Sequence, residues 1–191
     1  MNLLRIDPGF QSEHFLTAEI ALPSANYKTR DNIASFYKRL PTDLNTLPGV
    51  HAAGAGTDLP WTGYDENMGG FTIEGKTPPP NEEFHARYRT ASPDYFRALG
   101  IPLVHGRFFN EWDTKDTPRV LLINDVMARR YWPGEDGVGK RITFDDKPKE
   151  SDWFRVVGDV KDTPESKGAG ILVAGFAAAI SVREHDDCIS R

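Results

Sequence analysis

Between Ser92 and Arg141 the chain reads SPDYFRALGIPLVHGRFFNEWDTKDTPRVLLINDVMARRYWPGEDGVGKR, and its turn and cap residues recur at intervals that leave few ways to fold it. Ser92 is placed to cap a helix, Pro93 suits a first helical position, and Asp94 sits where the helix dipole favours negative charge. Tyr95, Phe96 and Leu99 supply apolar contacts, and Gly100 is a left-handed stop. Ile101, Leu103 and Val104 lead to Gly106-Arg107. Val120 to Ile123 is a short apolar run, expected as a buried strand. Asn124 can cap the next helix, with Asp125 in its first turn, Val126, Met127, Arg130 and Tyr131 on one side, and Pro133-Gly134 at its end. Gly137 and Gly139 allow a turn into a strand over Arg141 to Phe144. Nearly all of these signals are architectural, so the segment is built to hold a shape.

Upstream, Leu16 to Leu22 is expected as a first strand. Arg30 to Leu47 has Ile33, Phe36, Tyr37, Leu40, Leu44 and Leu47 at helical spacing, with Pro41 expected to kink or shorten the helix. Val50 to Gly56 is small and apolar and is expected as a second strand. A strand–helix–strand unit of this kind crosses over right-handed when its strands are parallel. Asp58 to Gly70 is loop-like, and Phe71 to Gly75 is expected as a short edge strand. Thr77 to Asn81 carries three prolines and is expected as an extended spacer between lobes, with its glycine and proline neighbours as hinge elements. Phe84 to Arg89 and Trp153 to Val160 complete the expected strands.

Several chemistries fail on the residues themselves. Gly134 to Lys140 reads GEDGVGK, the first part of a phosphate-binding loop, but Arg141 stands where a Ser or Thr would hold magnesium. A helix precedes it where a strand is needed, and a strand follows where a helix is needed. The reading is a glycine-rich turn. His14, His51, His85, His105 and His185 have no partners at metal-ligand spacing, and His105 reads as a loop histidine. Ser92 lacks a nucleophile-elbow context. Arg107, between a glycine turn and Phe108-Phe109, is expected to pair with Asp113 or Asp125 as a structural ion pair. Trp61, Trp112, Trp132 and Trp153 are expected to fill a core or interface. The loop with Trp61, Tyr64, Asn67 and Met68 is the best contact-surface candidate, although an ordinary ordered loop with some exposed apolar atoms explains it somewhat better. No catalytic, cofactor-binding or metal-ligating residue is assigned, and no cofactor.

A net charge of −5, with no basic patch, argues against nucleic acid or an anionic membrane surface as partner. One cysteine, Cys188, provides neither a disulfide framework nor a cysteine metal site. Met1 to Phe10 lacks the apolar run of a signal peptide. The longest uncharged stretch, Gly168 to Val182, falls short of the ~20 residues that span a bilayer. As written, the chain is expected neither to export nor to anchor itself.

The strings YFRALGIPLVHGRFF, VLLINDVMARRYWPGEDGVGKRI and FRVVGDVKD resemble the periplasmic core domain of MacB-like, FtsX-like ABC transporter permeases, and among them the duplicated type without a fused ATPase. Asp7 to Phe10, Ala21 to Pro23, Phe36-Tyr37 and Leu47 to Val50 match the opening of that family. The resemblance runs over residues 7–162. It implies an α+β domain of two lobes within residues 1–162: a porter-like lobe over about 10–60 plus 153–162, and an inserted lobe over about 71–144. Residues 163–191 form an atypical C-terminal tail. It further implies a non-catalytic domain on the extracytoplasmic, periplasmic side of the inner membrane, coupling transmembrane motion to substrate export or lipoprotein handling. Its partners would be the transmembrane helices of its own permease and a separate ATPase subunit, with a homo- or pseudo-dimer fitting the duplicated type. The domain itself would bind no nucleotide and no nucleic acid. A chain without membrane helices then reads as a fragment of a longer permease. The alternative class is a free-standing extracytoplasmic module that binds a ligand or protein between its lobes.

Overall fold

The computed structural model describes residues 15–57, 68–114, 116–162, 170–174 and 179–184. The chain is an α+β domain with strands β1 (Phe15–Glu19), β2 (Val50–Gly56), β3 (Met68–Ile73), β4 (Phe84–Ala91), β5 (Leu103–Gly106), β6 (Val120–Asn124), β7 (Arg141–Thr143), β8 (Phe154–Val160), β9 (Gly170–Ala174) and β10 (Ala179–Glu184). Its helices are α1 (Arg30–Leu44), α2 (Tyr95–Leu99) and α3 (Asp125–Tyr131).

Six strands close on themselves. In order they are β4, β3, β7, β8, β6 and β9, and β9 returns to pair with β4. The β6–β8 and β4–β9 pairings are parallel and the others antiparallel. Closure matters because an open sheet leaves two rows of unpaired backbone groups. Phe71, Ile73, Leu121, Ile123, Ile142, Val156 and Ile171 form one core cluster with Met127 and Tyr131 of α3 and Trp132 just beyond it. Alternation puts Leu122 of β6 in a second cluster, where it meets Phe96 and Leu99 of α2, Val160 and Phe109. β6 is therefore buried on both faces, which is why it is apolar without a break.

β5 pairs with β8 outside the ring, and the other three strands form an antiparallel group in the order β1, β10, β2. β1 and β2 run parallel with β10 between them, so the expected strand–helix–strand crossover is present but skips one place. Phe154–Val160, expected to complete this N-terminal unit, pairs instead with β5, β6 and β7. The place is taken by Ala179–Glu184, from the stretch read above as an atypical tail. That stretch also supplies β9, so it is part of the sheet.

Local chemistry accounts for the element ends. Thr29 caps α1 by accepting from Asn32 N–H, and the helix runs through Pro41 to stop at Leu44, one turn short of the expected end. Asn124 caps α3 by accepting from Met127 N–H at 2.9 Å, as its position suggested. Gly100 ends α2 at φ 67°, the left-handed region that favours glycine. Ser92 does not cap α2. Its hydroxyl accepts from Ala55 N–H of β2, and Asp94 occupies the cap position without a side-chain bond to the helix backbone, its carboxylate pairing with Arg97 at 3.1 Å. Phe71 is not on an edge: β3 lies between β4 and β7. Because β3 and β4 are antiparallel neighbours with Phe71 opposite Phe84, the proline-bearing segment between them is a hairpin loop within the ring and not a spacer between lobes.

Candidate functional site

The loop after β5 is the most heavily tied segment of the surface. Arg107 donates to both Asp113 carboxylate oxygens, at 2.7 and 2.8 Å, and to Phe108 O at 2.9 Å. The expected ion pair is thus made with Asp113; Asp125 is engaged by Arg129 instead, at 2.8 Å. Asp113 is the buried member of its pair. Burial alone would raise its carboxyl, but bonds from Arg107 and from Asn110 N–H, with the Arg107 charge, hold it below the ordinary carboxylate range. Asn110 accepts from Trp112 N–H, and the Thr117 hydroxyl donates to Trp112 O. At the base, Phe108 stacks on Phe96 with ring centroids 5.3 Å apart. Trp112 itself is 74% exposed, so it fills no core within this chain.

A second polar group lies where β6 and β8 end. Asn124 accepts from Gly170 N–H at 2.8 Å and donates to Asp162 at 2.7 Å, while Asp162 N–H donates to Asp125. Asp159 of β8 is buried, with Oδ2 3.7 Å from His105 Nδ1 and, among the described residues, no hydrogen-bond partner for Oδ1. Burial first, then the Asp125 carboxylate, pushes its carboxyl above the ordinary range, against the pull of His105 and Arg129. His105 lies in strand β5, not in a loop. Among the described residues, no group of three or more His, Cys, Asp or Glu could hold a metal ion.

Gly134 to Lys140 forms a turn whose donors are committed to the protein. Val138 N–H donates to Asp136 at 2.8 Å, Gly139 N–H to Val156 O at 2.8 Å, and Lys140 Nζ to Glu135 at 2.6 Å. A phosphate would have to displace all three. The other tryptophans divide. Trp132 is buried in the ring core, and Trp153 lies under the Arg141 guanidinium, 5.6 Å from it. Arg141 also bonds Glu74 and Glu150, tying β7 to the start of the hairpin loop and to the turn before β8. Trp61, Tyr64 and Asn67 of the candidate contact loop lie outside the described residues. Met68, its last member, opens β3 and is exposed.

One cleft opens between α2 and the ring, lined by Tyr95, Phe96, Ile101 and Leu172 with Arg87, Arg89 and Lys161. Its volume, about 50 Å³, suits one or two water molecules. Sites for small organic ligands are nearer 300–1,000 Å³. Asn124 and Gly170 of the second polar group also line the cleft, and there the Asn124 amide is bonded to Gly170 N–H and to Asp162.

A closed strand ring thus meets a small sheet at α2 and at the β2–β4 pairing. The chain belongs to the family of MacB-like periplasmic core domains, whose model matches residues 7–186. The match extends beyond residue 162, where the resemblance read from the sequence stopped, and takes in β9 and β10. The fold is similar to the periplasmic region of MacB from Actinobacillus actinomycetemcomitans, at 18% identity and TM-score 0.61, over 98% of this chain and 81% of that one. It is also similar to the extracellular domain of the noncanonic ABC-type transporter YknZ from Gram-positive bacteria, at 15% identity and TM-score 0.52, over 90% and 83%. Comparison with curated proteins finds no match. Domains of this family are extracytoplasmic parts of ABC transporter permeases. Among the described residues, no helix is long and apolar enough to cross a membrane.

Proposed function

We propose that this chain is the force-transmitting extracytoplasmic domain of an ABC transporter permease. It couples movement of the permease's transmembrane helices, driven by a separate ATPase, to substrate export or lipoprotein handling. No bond is made or broken within it, and it binds no nucleotide. It acts as two stiff bodies, the three-stranded sheet with its helices and the strand ring, that turn relative to one another. The observation that carries this reading is the family match over residues 7–186, onto a fold whose polar clusters tie elements together. The 50 Å³ cleft favours it over a free-standing module for small ligands.

The experiment is a distance measurement in the whole permease, reconstituted with its ATPase. Spin labels would be placed on Lys38→Cys, in α1, and Asp146→Cys, after β7, in a Cys188→Ser background. The expected result is a label separation that differs between ATP-bound and nucleotide-free states. An unchanged separation in a transporter that still turns over would refute the coupling.

A further inference from the structure

We propose that α2 is the joint on which the three-stranded sheet and the strand ring articulate, and that Gly54 and Gly56 are its seat. All four apolar side chains of this five-residue helix are buried. On the sheet side, a Cβ on Gly54 would stand 2.5 Å from Tyr95 Cα and 2.7 Å from its nitrogen. One on Gly56 would stand 2.5 Å from the Tyr95 ring. Neither glycine has a positive φ, so what each provides is space and not a backbone conformation. The two lie two residues apart on β2, hence on one face of the strand. On the ring side, Phe96 and Leu99 pack in the cluster that holds Leu122 of β6 and Val160 of β8.

Among the described residues, backbone pairing between the two bodies gathers at the same spot. Gly56 pairs with Ala91, Thr57 N–H donates to Thr90 O at 2.9 Å, and Ser92 N–H donates to Ala55 O at 2.8 Å. Immediately after these contacts the chain turns into α2. Pairing at one point together with a helix seated closely on two glycines is the geometry of a pivot. Ridges of larger side chains on β2 would interlock with α2, and glycine removes them. This places the articulation at residues 54–57 and 90–99. The glycines and prolines near residues 75–80, expected as hinge elements, lie inside the ring.

Hydrogen–deuterium exchange on the full chain tests the proposal. Gly54→Ala must lift α2 from its seat, because its nearest obstacle is backbone. The expected result is exchange about tenfold faster at β2 and β10 amides, with β6 and β8 amides unchanged, since separately held bodies open separately. Leu99→Ala loosens the same joint from the ring side while sparing the glycines, and should give the opposite split, with faster exchange at β6 and β8 amides beside Leu122 and Val160 and β2 and β10 amides unchanged, so the test stands if the first variant fails to fold. Equal acceleration in all four strands, or no change in any, would overturn the proposal. The inference takes its biological meaning from the coupling function, but its test does not. The permease reading can fail in the label measurement while the joint stands, and an exchange pattern without a split removes the joint and leaves the permease reading intact.

Discussion

Ser92 and Ala55, 37 residues apart, exchange two hydrogen bonds: Ser92 N–H donates to Ala55 O at 2.8 Å, and Ala55 N–H donates to the Ser92 hydroxyl at 2.9 Å. Both residues are buried, so neither group has water as a substitute. Ser92→Ala keeps the first bond and orphans the Ala55 donor. It should cost about 1–3 kcal/mol, the penalty of one buried unsatisfied amide. A urea titration would show a lower midpoint with an unchanged slope. A midpoint equal to wild type would mean that the hydroxyl does not hold β2.

Two glycines with the same backbone angle should respond unequally to a methyl group. Gly106 and Gly134 both have φ 77°. A Cβ on Gly106 meets Val157 O at 2.3 Å, whereas one on Gly134 has nothing within 4 Å. Gly134→Ala should therefore cost only the left-handed conformation, about 1 kcal/mol. Gly106→Ala adds the clash and should cost roughly 3 kcal/mol or more. Thermal unfolding of the two variants side by side decides this, and equal losses would count against the close approach of β5 to β8.

Asp159 gives a pH dependence opposite to that of most carboxylates. Its folded value is raised by burial and by Asp125, so the folded state holds the proton more tightly. The stability this contributes is present below the unfolded value near ~4 and is lost as pH rises through the folded value. Asp159→Asn should therefore be the more stable protein at neutral pH, by about 1 kcal/mol. The gap should close as pH falls toward about 4. Denaturation midpoints across that range would show it. A less stable variant at neutral pH would mean that the His105 contact outweighs the cost of burial.

Asp113 runs the other way. Its folded value is depressed, so its contribution is present above the unfolded value and is lost as pH falls through the folded one. Asp113→Asn should lower stability at neutral pH by about 1–2 kcal/mol, toward the low end because the Arg107 guanidinium is half exposed and screened. It should also flatten the acid side of the stability profile below about 4. An unaltered acid limb would place the titration elsewhere.

Elements with local chemistry were legible from residue order alone. The Asn124 cap, the Gly100 stop, the strand over residues 50–56 and the Arg107–Asp113 pair all depend on residues within a few positions of one another. Ser92 reads locally as a helix cap, whereas its hydroxyl serves an amide 37 residues away, for which the sequence carries no signal. β9 was missed because its partners, β4 and β6, are distant in sequence and its parallel pairing with β4 has no turn to announce it. Phe154–Val160 was assigned the wrong neighbours for the same reason. The two glycines of β2 looked like mere small residues, and only the position of Tyr95 gives them a purpose. The contacts of Asn124 with Asp162 and Gly170 follow from these long-range pairings and have no local signal, unlike the Arg107–Asp113 pair.

The place of β10 between β1 and β2 bears on how the chain is born. Translation delivers those two strands early and their shared neighbour late, so for most of synthesis each has an unpaired row of amides and carbonyls. Val50–Gly56, small and uncharged apart from His51, is the kind of exposed ribbon that pairs with a stranger. Until β10 arrives, shielding of those two strands guards the chain against such encounters.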